Sequence, residues 1–167
     1  MKKLLLILMI GVVFMSCAKE DKVAVISTKF GNMIVEFYDD VAPMHVESFK
    51  ILADEGYFNK TTFHRVIPGF VIQGGDPNSK DDDRMNDGTG GRAGKFFGIG
   101  REDDPASWNL PAEFNDKEHV KGTLSMARSS NPNSGSSQFF ICHAATPQLN
   151  NQSVSYTHLT LPTTLVV

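Results

Sequence analysis

The chain has 167 residues, 41% of them hydrophobic, enough for one globular domain with a buried core and too few for two large ones. Its formal net charge is -3, with 16 Lys and Arg against 19 Asp and Glu, and no basic stripe runs along it. That balance gives no electrostatic footprint for nucleic acid, so a nucleic-acid partner is not expected.

The N-terminus comes first in chain order. Lys2 and Lys3 precede an apolar run from Leu4 to Met15, shorter than the roughly 20 residues a membrane-spanning helix needs. The pattern predicts a signal peptide over residues 1-16. It ends in Phe14-Met15-Ser16-Cys17, which resembles a bacterial lipobox and implies a lipid on Cys17, with residues 17-21 as a lipidated tether. Acyl chains there would hold the domain to a membrane, each buried methylene contributing about 0.8 kcal/mol. The expected location is therefore the bacterial cell envelope, at the periplasmic or outer-membrane face. An ordinary secretory signal with an incidental cysteine is the alternative. Cys142, beside Phe139, Phe140 and Ile141, reads as a buried small hydrophobe.

Past the tether, Val23-Ala24-Val25-Ile26 and Met33 to Phe37 are β-prone runs with Phe30-Gly31-Asn32 as the turn between them, a hairpin. Pro43 opens a helical pattern that places Val46, Phe49, Leu52 and Ala53 on one face, and Gly56 stands where a C-terminal cap belongs. Residues 76 to 111 are rich in Gly, Asp and Asn with little periodicity, which predicts long surface loops. Leu110 to Phe114, Gly122 to Ala127 and Gln138 to Cys142 restore strand character. Short β-segments with few helices suit a closed barrel.

The stretch Phe63 to Asp76, FHRVIPGFVIQGGD, stands out because it places a cation inside an otherwise apolar strand-turn-strand. Thr62 to Ile67 is β-prone, Pro68-Gly69 is a turn signal, and Phe70 to Ile72 is a second apolar run. Arg65 has five donors, no acceptor and a permanent charge, so between Phe63 and Phe70 it should serve either a salt bridge or a ligand. Other chemistries find no support. Around Gly94-Lys95 a phosphate loop would need glycine at Thr89 and Ser or Thr at Phe96, and no serine lies in a G-x-S-x-G frame. His45, His64, His119, His143 and His158 show no i, i+4 metal spacing and read as satisfied or exposed structural histidines, so no metal is expected.

FHRVIPGFVIQGGD is similar to the active-site segment of the cyclophilin family of peptidyl-prolyl cis-trans isomerases. A second block agrees: GTLSMA at residues 122-127, Asn131-Pro132-Asn133, and Gly135 to Ile141 resemble that family's other binding strand and the loop before it. The likeness runs from about Lys22 to Asn151, so the cyclophilin-like domain is expected over 22-152. It implies a mainly β fold, a closed antiparallel eight-stranded barrel capped by helices, and isomerisation of Xaa-Pro bonds in exported proteins by a monomer without a cofactor. Arg65 matches the catalytic arginine and Gln73 the amide that positions it. Phe70, Val71, Phe140 and Leu149 match the proline pocket, with Val71 in place of a common methionine. Ala127, Arg128 and Gln138 match the groove for the flanking peptide, with Arg128 in place of a common asparagine. Gln148 stands where many eukaryotic members have tryptophan, which implies weak binding of cyclosporin. A non-catalytic proline-peptide binding or chaperone module is the alternative; an adhesin or interaction domain built on the 76-111 loops is a third.

The resemblance stops where a histidine-containing strand, a hairpin and a closing helix should follow. Residues 153-167 form a non-family tail, so the last strands and closing helix are expected to be missing or replaced. The stretch Val154 to Thr163, VSYTHLTLPT, is similar to the translation of a transposon-end adapter used to prepare DNA libraries, which predicts a genuine reading frame ending near Gln152 and a tail that is a sequencing artefact. The alternation of Val154, Tyr156, Leu159 and Leu161 equally describes a divergent strand.

Overall fold

β-prone runs build the first hairpin, β1 (Val23–Thr28), whose residues alternate in exposure, with β2 (Gly31–Phe37), in the computed structural model, which describes residues 23-160. The predicted signal peptide, the tether and Cys17 lie outside the described residues. The hairpin turn is Lys29-Phe30 rather than Phe30 to Asn32, because Gly31 takes a left-handed φ of 124° and already pairs with Thr28. The Thr28 hydroxyl closes the turn, donating to the Gly31 carbonyl at 2.9 Å and accepting from the Phe30 N–H at 3.1 Å.

Pro43 opens α1 (Pro43–Asp54), which buries His45, Val46, Ser48, Phe49 and Leu52. Ala53, expected on that face, is exposed. The orphan N–H groups of its first turn are met by a residue from far along the chain: Glu113 accepts from Met44 N at 3.1 Å, His45 N at 2.9 Å and His45 Nδ1 at 2.6 Å. Burial alone would raise the Glu113 carboxyl, but these bonds outweigh it and hold it below its ordinary value. The helix ends at Gly56, with φ 68°, in paired bonds from Gly56 N to Ala53 O and from Tyr57 N to Leu52 O, a Schellman motif.

Five further strands, β3 (Arg65–Val66), β4 (Val71–Gly74), β5 (Thr123–Met126), β6 (Phe139–Cys142) and β7 (Ser155–Thr160), complete an antiparallel seven-stranded sheet in the order β1-β2-β7-β5-β6-β4-β3. The fold is mainly β, and β1 and β3 are its edges among the described residues. Val35, Phe49, Leu124, Phe139, Ile141 and Tyr156 fill the core between sheet and helix. Leu110 to Phe114 is not a strand. Pro111 has no N–H to give a ladder, and only a bridge from Leu110 to Gly135 forms. The 76-111 region carries short 3-10 turns at Pro77–Lys80 and Pro105–Ser107, and it is not all surface: Asp76 and Ala93 are fully buried.

The described part of the tail is a strand. β7 pairs with β2 (Phe37↔Thr157) and with β5 (Thr123↔His158), so the divergent-strand alternative describes residues 155-160. No helix among the described residues is long and apolar enough to cross a membrane.

Candidate active site

Strand register gathers the site. Arg65 on β3 is directly opposite Gln73 on β4, Gln73 is opposite Phe140 on β6, and Phe140 is opposite Ser125 on β5. Directly opposed residues share a face, and so do residues two apart on one strand, which adds Val71 and Cys142 to the row. The intervening residues Ile72, Phe139 and Ile141 turn the other way into the core. Alternation thus makes β4 and β6 two-sided: one face closes the core, the other builds a small apolar cluster of Val71, Phe140 and Cys142 with Phe70, Ala127 and Leu149 against it.

The β3-β4 hairpin that presents Arg65 turns at Pro68-Gly69. Proline presets φ at the first corner, Gly69 supplies φ 74° at the second, and Phe70 N closes the turn on Ile67 O at 3.0 Å. His143 pins the tip, accepting from Gly69 N at 3.0 Å through Nδ1 and donating its own backbone N–H to Phe70 O at 2.8 Å.

Arg65, Phe70, Val71, Gln73, Ala127, Arg128, Phe140 and Leu149 line one cavity of about 310 Å³. Gln138 stands behind it. Arg65 donates to Gln73 Oε1 at 3.2 Å, Gln73 Nε2 donates to Gln138 Oε1 at 2.9 Å, and Gln138 Nε2 donates to the carbonyls of Gly88 at 3.0 Å and Gly90 at 2.7 Å. This chain of amides also fixes which way each carboxamide points. Among the described residues no carboxylate lies within 4 Å of Arg65, and its side chain is exposed, so the salt-bridge option for this arginine is not taken.

Arg128 is held at the rim, donating to the Gln152 carbonyl at 2.6 Å and to Ser129 O at 2.8 Å, with its guanidinium 5.5 Å from the Phe114 ring centroid. Gln148 is exposed and does not line the cavity. Met126, from the GTLSMA block, also lines it, as do Gln152 and Ser153, to which no motif in the sequence points. Ser153 reaches it because its hydroxyl donates to Met126 O at 3.0 Å, a contact between residues 27 apart that no local pattern carries.

Beneath Phe140 lies His119, 2% exposed, its ring stacked at 6.1 Å and 21°. His119 Nδ1 donates to Asn150 Oδ1 at 3.1 Å, and Nε2 sits 3.2 Å from the Ser155 hydroxyl. Burial lowers its pKa below the ordinary 6.5, opposed by the Asn150 bond. His45, His119 and His143 are satisfied structural histidines. His64 is not, since both of its ring nitrogens are buried without a hydrogen-bond partner. Cys142 is a buried free thiol 3.3 Å from the Thr146 hydroxyl, and burial raises its pKa.

The arrangement offers an apolar wall beside an exposed guanidinium that one hydrogen bond to Gln73 orients. Residues 23-164 match the family described as cyclophilin type peptidyl-prolyl cis-trans isomerase. That match runs past Asn151, where the resemblance read from the residues stops, and takes in β7. The chain is 41% identical over 137 residues to a probable peptidyl-prolyl cis-trans isomerase of Brucella abortus, covering 82% of this chain and 65% of that protein. It therefore spans just under two thirds of the length of that relative. A peptidyl-prolyl cis-trans isomerase of Synechococcus elongatus is 38% identical over 133 residues, 80% of this chain and 77% of that one. Among solved structures, a cyclophilin type isomerase of Cryptosporidium parvum, crystallised in the presence of the dipeptide Ala-Pro, superposes with a TM-score of 0.70 at 31% identity, covering 85% of this chain and 80% of that one.

Proposed function

The chain belongs to the cyclophilin-type peptidyl-prolyl cis-trans isomerase family, and from that premise we propose that it accelerates rotation about Xaa-Pro bonds, using Arg65 as the catalytic donor. The reaction makes and breaks no covalent bond. Its barrier, about 18-20 kcal/mol, is the loss of amide resonance as the peptide twists. Rotation pyramidalises the prolyl nitrogen and localises its lone pair, so a donor aimed there binds the twisted state better than either planar one. Each 1.36 kcal/mol of such preference is roughly tenfold in rate.

Val71, Phe140, Leu149 and Phe70 supply the slot for the proline ring. Arg65 supplies N–H groups that no carboxylate occupies, and Gln73, fixed by Gln138, limits where the guanidinium can point. Ala127, Arg128 and Gln138 line or back the path of the flanking peptide. The observation that carries this reading is the cross-strand row Arg65, Gln73, Phe140, which sets a cation without a carboxylate partner among the described residues next to a cavity with one apolar wall. The relative crystallised in the presence of Ala-Pro supports proline peptides as the substrate class.

The wider reading is also ours: exported unfolded proteins as clients, lipid on Cys17, an envelope location and a monomer, with boundaries at 16, 21 and 152. The fold we propose is the closed eight-stranded barrel capped by helices, with its last strands and closing helix missing or replaced in this chain. The test is isomerisation of a chromogenic Xaa-Pro peptide by the full chain in mild detergent, with Arg65→Ala beside it. Turnover in the parent and its loss in the variant are expected; equal turnover in both would remove Arg65 from the chemistry.

A further inference from the structure

A second cleft, of about 700 Å³, adjoins the proline slot and shares two of its walls, Arg65 and Gln73. His64, Arg84 and Asp87 complete its polar lining. Its charges do not balance. Among the described residues Arg65 has no carboxylate partner, and Arg84, 65% exposed, meets Asp87 Oδ2 only at 3.4 Å, so two guanidiniums face one carboxylate. Its polar groups are also under-used, since Asp87 Oδ1 and both ring nitrogens of His64 are buried with no hydrogen-bond partner. Buried polar atoms are rarely left so; in this concave, net-positive site a ligand oxygen would meet the His64 ring N–H, while Asp87, an acceptor, opposes it.

Resting on the isomerase reading, we propose that this cleft is a specificity subsite for a carboxylate side chain, Asp or Glu, close to the proline in the bound peptide. The two cavities meet at Arg65, and consecutive Cα atoms are about 3.8 Å apart. A residue one or two positions from a proline seated against Phe140 and Val71 therefore has the reach to enter it. An acidic group would pair with Arg84 and with the Arg65 donors left free by Gln73, and it would place oxygen acceptors near His64. A basic group would meet two like charges. The guanidiniums present planar donor pairs suited to carboxylate oxygens.

The test is calorimetric binding of short Xaa-Pro peptides to the full chain in mild detergent, with Glu, Gln or Lys at each of the two positions before and after the proline. At one of these positions Glu should bind about twofold to fivefold more tightly than Gln, the range expected of rim ion pairs, and Lys more weakly than Gln. The preference should shrink as salt rises, reverse in Arg84→Glu and grow in Asp87→Asn. Equal affinity for Glu, Gln and Lys at every position overturns the proposal, as does an Arg84→Glu variant, folded by circular dichroism, that keeps the wild-type preference. A peptide with phosphoserine at that position tests the other anionic source: tight binding of phosphoserine with Glu no better than Gln overturns the carboxylate assignment. Turnover is read separately on the same peptides. A protein that prefers Glu in binding but does not accelerate isomerisation refutes the isomerase reading and leaves the subsite standing.

Discussion

The Arg65-Gln73-Phe140 row and strand β7 belong to one sheet, yet their polar groups fare differently. Along the row, every link from Arg65 through Gln73 and Gln138 to the carbonyls of Gly88 and Gly90 is made. In β7 the backbone pairs to β2 on one side and β5 on the other, but the Tyr156 hydroxyl and Thr157 Oγ1 are buried with no partner. Backbone pairing tolerates many sequences, because any alternating segment offers N–H and C=O groups at the same spacing. Side-chain satisfaction does not. A ladder that closes therefore says little by itself about whether residues 153-160 are native to this place: the family match extends over them to residue 164, while two of their hydroxyls stand without a partner among the described residues.

The largest effect should come from the row. On the proposed mechanism Arg65→Ala removes the donor to the twisted amide, and loss of one such donor lowers kcat by roughly 10²-10³-fold. Because the Arg65 side chain is exposed and makes one long hydrogen bond, the melting temperature should stay within about a degree or two. Arg65→Lys should rescue little, since an ammonium cannot reproduce the planar fork. A variant that loses stability along with activity would mean that Arg65 holds up the sheet instead.

Gln138→Leu comes next. It leaves the half-buried Gln73 amide and Gly90 carbonyl without their partner, while the exposed Gly88 can turn to water, and the loss should lie near the lower end of the about 1-3 kcal/mol that unsatisfied buried groups cost. Urea titration should show that loss, and Arg65, released from its fixed neighbour, should turn over substrate more slowly. If Gln138→Leu is as stable as the parent, the amide chain is not what distinguishes the row from β7.

Much of the row is legible in the amino-acid sequence itself. FHRVIPGFVIQGGD contains a Pro-Gly turn flanked by two β-prone runs, so Val71 and Gln73 share a face by strand periodicity, while placing Arg65 with them takes the hairpin register. Pro43 and Gly56 bracket α1 for reasons equally local. What is not legible there depends on contacts made at a distance. Glu113 caps α1 from 69 residues away from Met44, Ser153 reaches the slot through Met126, and the unpartnered atoms of His64 and Asp87 are set only once the 76-111 loop has folded over β3. Leu110 to Phe114 has the apolar ends of a strand, and Pro111 together with the helix-capping duty of Glu113 overrides them. Residues 155-160 are legible twice, as an adapter-like stretch and as an alternating strand, and only the side chains distinguish the two.

The comparison is sharpened by removing the stranded hydroxyls. Tyr156→Phe and Thr157→Val take away buried oxygens that bond to nothing, while keeping the shape that, for Tyr156, packs against His45 and Phe49. Each should stabilise the fold by about 1 kcal/mol, opposite in sign to Gln138→Leu. Such gains, together with independent sequencing of the source gene that ends the frame near Gln152, would identify the tail as foreign. Destabilisation by both, with codons from Val154 onward recovered intact, would make β7 a native strand.

The smallest effect should appear where the two regions touch, at His119, whose ring stacks on Phe140 and whose Nε2 faces Ser155 of β7. Burial depresses its pKa, with the Asn150 bond opposing, so the folded state favours the neutral ring. The unfolded chain takes up a proton near the ordinary 6.5, and below that value it binds more protons than the fold does. The stabilisation attached to neutral His119 is therefore complete above about pH 6.5 and is lost as pH falls below it. Glu113, also depressed, acts with the same sign in a more acidic window, below its ordinary 4.5, because its capping bonds are lost when it protonates. The midpoint of urea unfolding should fall between about pH 7.5 and 5.5, a window that brackets the ordinary histidine value, and fall less in His119→Gln, whose side chain does not titrate. An equal fall in both proteins would place the proton uptake elsewhere and separate the row from β7 at the one point where a buried ring joins them.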